Sequence, residues 1–270
     1  MDPLSPTLAE AIDFLVHLAE QGLGYSAINT ARSALSSVLG LFENQVFGKH
    51  HLVIRLMRGI FNDRPPTARY SSSWDVNKVL NWLKCLSPVR DLDLRYLTLK
   101  LVMLMALVSG QRCQSLHLLD LNLMKKGKDV RFAFDKPLKH FKQGKTAPLL
   151  IFEAFPPDRR LCVLTVLKEY LCRTTTYHRE ESKLFVSFVK PHKKVSKDTI
   201  GRWVKLGLRC AGVNETVYKA HSTRMASASK AAASGIPLDV IMSAAGWSRA
   251  GTFAKFYCKP TESFAKSVLA

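Results

Sequence analysis

The segment LRYLTLKLVMLMALVSG, residues 94–110, is apolar around nearly its whole circumference when wound as a helix, so it has no face to give to water. Such a helix has to be surrounded, and the rest of the chain must supply the surroundings. The run is interrupted by Lys100 and falls short of the roughly 20 apolar residues that cross a bilayer. The first residues, MDPLSPTLAE, lack a basic start followed by an apolar stretch, so no secretory signal is expected. Six cysteines (Cys85, Cys113, Cys162, Cys172, Cys210, Cys258) show no paired spacing, which predicts reduced thiols in an intracellular compartment. None of the eight histidines pairs with cysteines or carboxylates at the spacing of a zinc site, so no metal is expected.

Ahead of the apolar helix, DRPPTARYSSSW (residues 63–74) halts any helix with two prolines and three serines. Residues 1–66 precede most of it and read as three helices. In the first, Thr7 and Glu10 form a capping box, and Leu8, Ile12, Leu15, Val16 and Ala19 share a face before Gly22 and Gly24 close it. The second carries Ile28, Ala31, Leu35, Val38 and Leu39 on one face, and a third lies within HHLVIRLMRGIFN. Beyond the break, WDVNKVLNWLKCL is a further helix. LDLNLM, DVRFAF and APLLIFEAF then read as short strands of an antiparallel sheet, separated by KKGK and DKPLKHFKQGK. Helices return in DRRLCVLTVLKEYLCRTT, KDTIGRWVKLGLRCAG, STRMASASKAAASG, PLDVIMSAAG, AGTFAKFY and TESFAKSVL. The expected fold is mainly α with a small antiparallel sheet, in two domains, 1–66 and 67–270.

Charge divides the chain at the same place. Residues 1–66 hold 5 basic and 6 acidic side chains, while the remainder holds 35 basic against 15 acidic, net +20. So large an excess predicts a polyanionic partner, with nucleic acid first, because binding to phosphates releases counterions and relieves self-repulsion. The loop KPHKKVSK, residues 190–197, leads into a helix bearing Arg202 and Lys205. Lys193, Lys194, Arg202 and Lys205 are therefore candidate phosphate contacts.

Within the basic part, SGQRCQSLHLLDL (residues 109–121) presents Arg112, and HSTR presents His221 and Arg224 one helical turn apart on one face. AAGWSRAGTFAKFY (residues 244–257) presents Trp247 and Tyr257. Two arginines suit the non-bridging oxygens of a phosphate, and a tyrosine can serve as nucleophile. Each residue also has a structural alternative: Arg112 as a helix cap or partner of Asp120, His221 and Arg224 as an ordinary pair at a helix N-terminus, and Trp247 and Tyr257 as core aromatics.

In this order, with a lysine-rich turn between Arg112 and HSTR, the motifs resemble those of the tyrosine recombinases. The wording, with GW where GH is usual and with TFAKFY, is most similar to recombinases of DIRS-like and Ngaro-like retrotransposons, with Crypton-type enzymes second. The resemblance implies a helical core-binding-like domain and an α+β catalytic domain that clamp double-stranded DNA. It implies that Arg112 and Arg224 hold the scissile phosphate, that His221 and Trp247 support it, and that Tyr257 attacks to form a 3′-phosphotyrosyl bond. A lysine from the turn would protonate the leaving oxygen. Lys136, Lys139, Lys142 and Lys145 stand there; Lys139 matches the family's distance to a following proline (Pro148), Lys142 matches shorter turns, and the others, Lys145 among them, would meet DNA. Neither metal, ATP nor another cofactor is implied. The resemblance further implies dimers and tetramers on DNA, integration of a mobile element, and residence in the nucleus. A DNA-binding protein that no longer cuts and a type IB topoisomerase are the alternatives.

Overall fold

The computed structural model describes residues 5–67, 69–136, 138, 149–179, 181–247, 250–257 and 259. The chain divides into two compact units, Met1–Arg69 and Tyr70–Ala270. The division falls inside the stretch of prolines and serines where the charge changes.

In the first unit, helix α1 (Leu8–Glu20) begins at a complete capping box. The Thr7 Oγ1 accepts the Glu10 N–H at 3.3 Å, and the Glu10 carboxylate accepts the Thr7 N–H at 2.8 Å. The Thr7 N–H first, and then the Thr7 hydroxyl donating to the same carboxylate at 2.9 Å, hold the Glu10 carboxyl below its ordinary range. Helix α2 (Tyr25–Val38) and helix α3 (His51–Asp63) complete a small core of Ala11, Leu15, Ile28, Phe47, Val53, Met57 and Ile60. Two expected core positions depart from it. Val38, the last residue of α2, is 63% exposed, and on α1 Ala11 takes the central place while Val16 is only half-buried.

Between α2 and α3 the chain makes a hairpin that the periodicity does not reveal, β1 (Leu41–Phe42) with β2 (Gln45–Val46). Its two turn residues, Glu43 and Asn44, have φ of 47° and 62°, the mirror-image conformation that suits tight hairpins. Glu43 is an uncommon residue there, and its carboxylate is tied to buried His50 at 3.1 Å. His50 also caps α3, accepting the Leu52 N–H at Nδ1. The proton of its neutral ring therefore sits on Nε2 and is donated to Glu43. Glu43, His50 and His51 cluster closely enough to hold an ion, but His50 turns a donor, not a lone pair, toward the cluster. The group works as a structural hydrogen bond.

The second unit is built around α5 (Leu94–Ser109), capped by Asp93 and ended by Gly110 in the left-handed region. All residues from Leu97 to Leu107 are buried. Helix α4 (Val76–Cys85) precedes it and α6 (Cys113–His117) follows. Around α5 lie α7 (Val163–Thr174), α8 (Lys197–Cys210), α9 (Ser222–Ala233) and strand β5 (Leu150–Phe152). At Gly207 on α8 any side chain would stand 2.7 Å from Met103 Cγ, so the α5–α8 approach requires glycine. Lys100 stays inside the core by spending its ammonium on the open end of α4, donating to Leu83 O (2.8 Å), Leu86 O (2.5 Å) and Ser87 Oγ (3.1 Å). Burial pulls its pKa down to about 8, partly offset by Asp158.

The sheet is antiparallel, β3 (Met124–Lys126) beside β4 (Val130–Phe132) beside β5, with Lys125 opposite Arg131 and Arg131 opposite Ile151. Phe132 and Phe152 turn inward. The first strand starts later than LDLNLM suggests. Asp120 caps a short helical turn, Leu121–Leu123, by accepting the Asn122 N–H, and the strand falls on MKK instead. The last helices are α10 (Leu238–Ala245) and α11 (Ala250–Phe256). TESFAKSVL lies outside the described residues. Among those described, no helix is long and apolar enough to cross a membrane. The architecture is mainly α with a small antiparallel sheet, as the sequence predicts.

Candidate active site

Helix α9 starts immediately after His221, and Arg224 sits in its first turn. A cation there faces the unfavourable end of the helix dipole. Arg224 resolves this by reaching across to the opposite kind of helix end: its Nη2 donates to the Ala245 carbonyl at the C-terminus of α10, at 3.0 Å. The side chain is completely buried. Its Nε and Nη1 meet no acceptor at hydrogen-bonding geometry among the described residues. Burial first, and then the nearby charge of Arg112, lower the Arg224 pKa to about 10, while Tyr257 acts in the opposite direction. A guanidinium buried with two unspent donors, beside a second guanidinium, is a site prepared for an anion.

Arg112 precedes α6, half-buried, and its side chain makes no capping bond. Asp120 does not pair with it, being bound to Ser182 (2.7 Å) and Lys183 (3.0 Å). Instead the neighbouring Gln111 fixes the loop. Its amide donates to the Ala244 carbonyl at 2.8 Å and accepts from Ser115 at 3.0 Å. Consecutive carbonyls at the end of α10 thus hold Gln111, next to Arg112, and Arg224. Gly110 suits the turn into this loop through its backbone, at φ 57° in the left-handed region, while a Cβ there would only touch Ala245 Cβ at an ordinary 3.5 Å.

Tyr257 closes the other side. Its hydroxyl is 3.0 Å from His221 Nε2, and its ring lies 4.3 Å from that of Trp247, centroid to centroid. The Arg224 guanidinium stacks over Trp247 at 4.9 Å and lies 5.7 Å from the Tyr257 ring. The Trp247 Nε1 is buried and has no acceptor among the described residues. It is a third unspent donor, held beside the guanidinium. Ala228, Ile241 and Phe253 form the small core beneath these rings.

A cavity of about 550 Å³ opens beside this cluster, lined by Arg112, His221 and Arg224 and by Lys197, Arg202 and Lys205 of α8. The structure thus brings together Arg112, His221, Arg224, Trp247 and Tyr257, with Arg202 and Lys205 along the same opening. Lys205 is loosely paired with Glu215 at 3.9 Å. Lys193 and Lys194 line a separate cavity with Arg179 and His192, and Lys194 lies 3.7 Å from Glu181. Lys139, Lys142 and Lys145 lie outside the described residues, and Lys136 is exposed at the near end of that connection.

Gln111 and Lys197 were within quoted motifs but carry no signal of their own. Gln111 could be found only by knowing that α10 ends against it. Lys197 is one more lysine in a run of lysines, and only the start of α8 singles it out.

A model of the phage integrase family matches residues 82–263. No curated protein sequence matches the chain. Among solved structures, the XerH site-specific recombinase bound to palindromic difH substrate, in a post-cleavage complex, is similar with a TM-score of 0.62 at 14% identity, over 92% of this chain and 67% of that one. The Tn1549 transposon integrase in complex with transposon right end DNA gives 0.62 at 13% identity, over 100% of this chain and 85% of that one. A lambda integrase dimer bound to a COC′ core site gives 0.58 at 16%, over 96% and 82%. At such identities the structural likeness concerns the fold, whereas the family match spans the segment from the end of α4 through Tyr257. On that match, the chain is a member of the phage integrase family.

Proposed function

We propose that the chain is a site-specific DNA recombinase that cuts and rejoins strands through Tyr257. The observation that carries this reading is the convergence of three buried, unspent donors, Arg224 Nε and Nη1 and Trp247 Nε1, beside a tyrosine whose hydroxyl touches a histidine. Seated against Arg112 and Arg224, a phosphodiester would have its non-bridging oxygens neutralised and its phosphorus within reach of Tyr257. As the Tyr257 oxygen bonds to phosphorus, its proton passes to His221 Nε2. The bond to the 5′-oxygen breaks, and that oxygen leaves as a hydroxyl after taking a proton from a lysine of the connection after β4, Lys139 or Lys142. The phosphotyrosyl bond conserves the phosphodiester energy, so attack by another strand's 5′-hydroxyl reverses the step.

The basic opening along α8 supports DNA as substrate, with Arg202 and Lys205 on the flanking phosphates and Lys145, Lys193 and Lys194 further along. Residues 1–69 would serve as the core-binding-like domain of the clamp. The relatives solved as dimers and as a tetramer on DNA support assembly of copies on DNA here as well. The wording of the motifs supports a mobile element of the DIRS, Ngaro or Crypton type as the source, acting in the nucleus.

The test uses a duplex selected for binding from a random pool and nicked beside the cleavage position. A denaturation-resistant protein–DNA adduct that is lost in Tyr257→Phe is the expected result. Absence of an adduct on every bound duplex makes the protein a DNA binder, and relaxation of supercoils without strand exchange makes it a topoisomerase.

A further inference from the structure

Helix α9 carries three serines whose hydroxyls go to different places. Ser222 accepts from the Trp74 indole at 2.9 Å, and Ser227 bonds back to the Thr223 carbonyl one turn earlier at 2.9 Å, the usual choice for a serine inside a helix. Ser229 turns away from its own helix. Its Oγ donates to the Tyr257 carbonyl at 2.7 Å and accepts the Lys259 N–H at 3.0 Å. It is nearly buried, so water competes little for either bond.

We infer that Ser229 is the positioning residue of the nucleophile, a two-bond tether that fixes the Tyr257 backbone to the helix carrying His221 and Arg224. This inference rests on the recombinase reading. The tyrosine is gripped at both ends, its hydroxyl by His221 at the N-cap of α9 and its carbonyl by Ser229 within the helix, about two helical turns apart. It therefore lies lengthwise along the helix. α11 ends at Phe256; Tyr257 still donates its N–H to the Phe253 carbonyl at 2.8 Å, so its own carbonyl is where the chain leaves the helix and where Ser229 takes hold. Stacking on Trp247 allows the ring to slide and the N–H bond to Phe253 ties the residue only to α11, whereas the pair of bonds to Ser229 sets its distance along α9. Without the tether the phenol keeps its neighbours and loses its register to the phosphate.

The experiment uses the full chain and the nicked duplex described above. With Ser229→Ala, single-turnover adduct formation is expected to slow by about 100-fold, the size of effect that a misplacement of about 1 Å produces, with DNA affinity unchanged. Ser229→Thr, which keeps the hydroxyl, restores most of the rate. On a duplex with sulfur in place of the bridging 5′-oxygen the leaving group needs no proton, so a defect in nucleophile placement persists there, while a defect in proton delivery disappears. Wild-type rate in Ser229→Ala, or a defect that vanishes on the sulfur substrate, overturns the assignment. Exchange of the Lys259 amide hydrogen tests the tether without any activity: it should speed up by about 10-fold or more in Ser229→Ala, through loss of local protection. Unchanged exchange refutes the tether even if the wild-type chain forms no adduct.

Discussion

The Tyr257 hydroxyl and His221 Nε2 lie 3.0 Å apart, within one chain and with no other group between them. That distance lets the proton leave the phenol as its oxygen attacks. Tyr257→Phe is expected to form no covalent adduct, and His221→Ala to slow adduct formation by roughly 10²–10⁴-fold, the usual contribution of a placed acid or base. Rapid-quench measurement of adduct formation checks both.

Because the same chain supplies Tyr257, His221 and Arg224 in contact, each copy is expected to attack the phosphate it holds itself. A mixture of Tyr257→Phe and Arg112→Ala copies on a two-site duplex should therefore give no adduct. An adduct in the mixture, when neither variant forms one alone, would show that the tyrosine is delivered to a neighbour.

Arg224 should cost the free protein stability. A pKa lowered to about 10 means that burial and the charge of Arg112, net of the pull of Tyr257, work against the charged form by roughly 3 kcal/mol, set against about 1 kcal/mol from the bond to Ala245. Folded and unfolded states both carry the charge below about pH 10, so the cost does not vary across neutral pH. Arg224→Met is expected to raise the melting temperature of the DNA-free chain by a few degrees and to reduce cleavage by about 10²–10³-fold. Calorimetry with and without DNA checks it, since only the arginine form should gain strongly on binding.

Lys100 gives a pH signature. Its pKa falls from 10.5 in the unfolded chain to about 8 in the fold. Between those values the unfolded state holds a proton that the native state has released, so stability rises with pH across that window. Relative to Lys100→Met, the wild-type chain should gain up to roughly 3 kcal/mol between pH 8 and 10.5, and none of that gain should appear below pH 7. Denaturant melts at stepped pH measure it.

Trp247 separates two contributions. Trp247→Phe keeps a ring against Tyr257 and removes the buried donor, and should slow cleavage by about 10-fold through one lost hydrogen bond to charge. Trp247→Ala also removes the ring that Tyr257 and Arg224 lean on, and should be slower still and less stable. Equal rates in the two variants would assign the role wholly to the indole N–H.

Much of the fold was legible because its signals are local. The capping box at Thr7, the all-apolar run around Lys100 and the glycine ending α5 each act within a few residues. The hairpin at Glu43 was missed because two-residue strands have no periodicity to detect, and β3 was misplaced because Asp120 spends its carboxylate on a local cap. Candidate site residues could be picked out by residue type and order, but not what holds them. Gln111 and Ser229 bond to carbonyls far away in sequence, those of Ala244 and Tyr257, and an uncharged side chain bonded to distant backbone leaves no mark in composition or spacing.

The end of α10 carries a consequence for how this chain can change. Because the Ala244 and Ala245 carbonyls, not their side chains, hold Gln111 and Arg224, exposed Ala244 can become almost any helix-forming residue, whereas Ala245, buried with its Cβ against Gly110, has to stay small. A single inserted or deleted residue in α10 is a different matter. It would turn both carbonyls by about 100° about the helix axis and detach Gln111 and Arg224 together. Substitutions should accumulate at the exposed positions of α10, such as Ser243 and Ala244, while its length stays fixed.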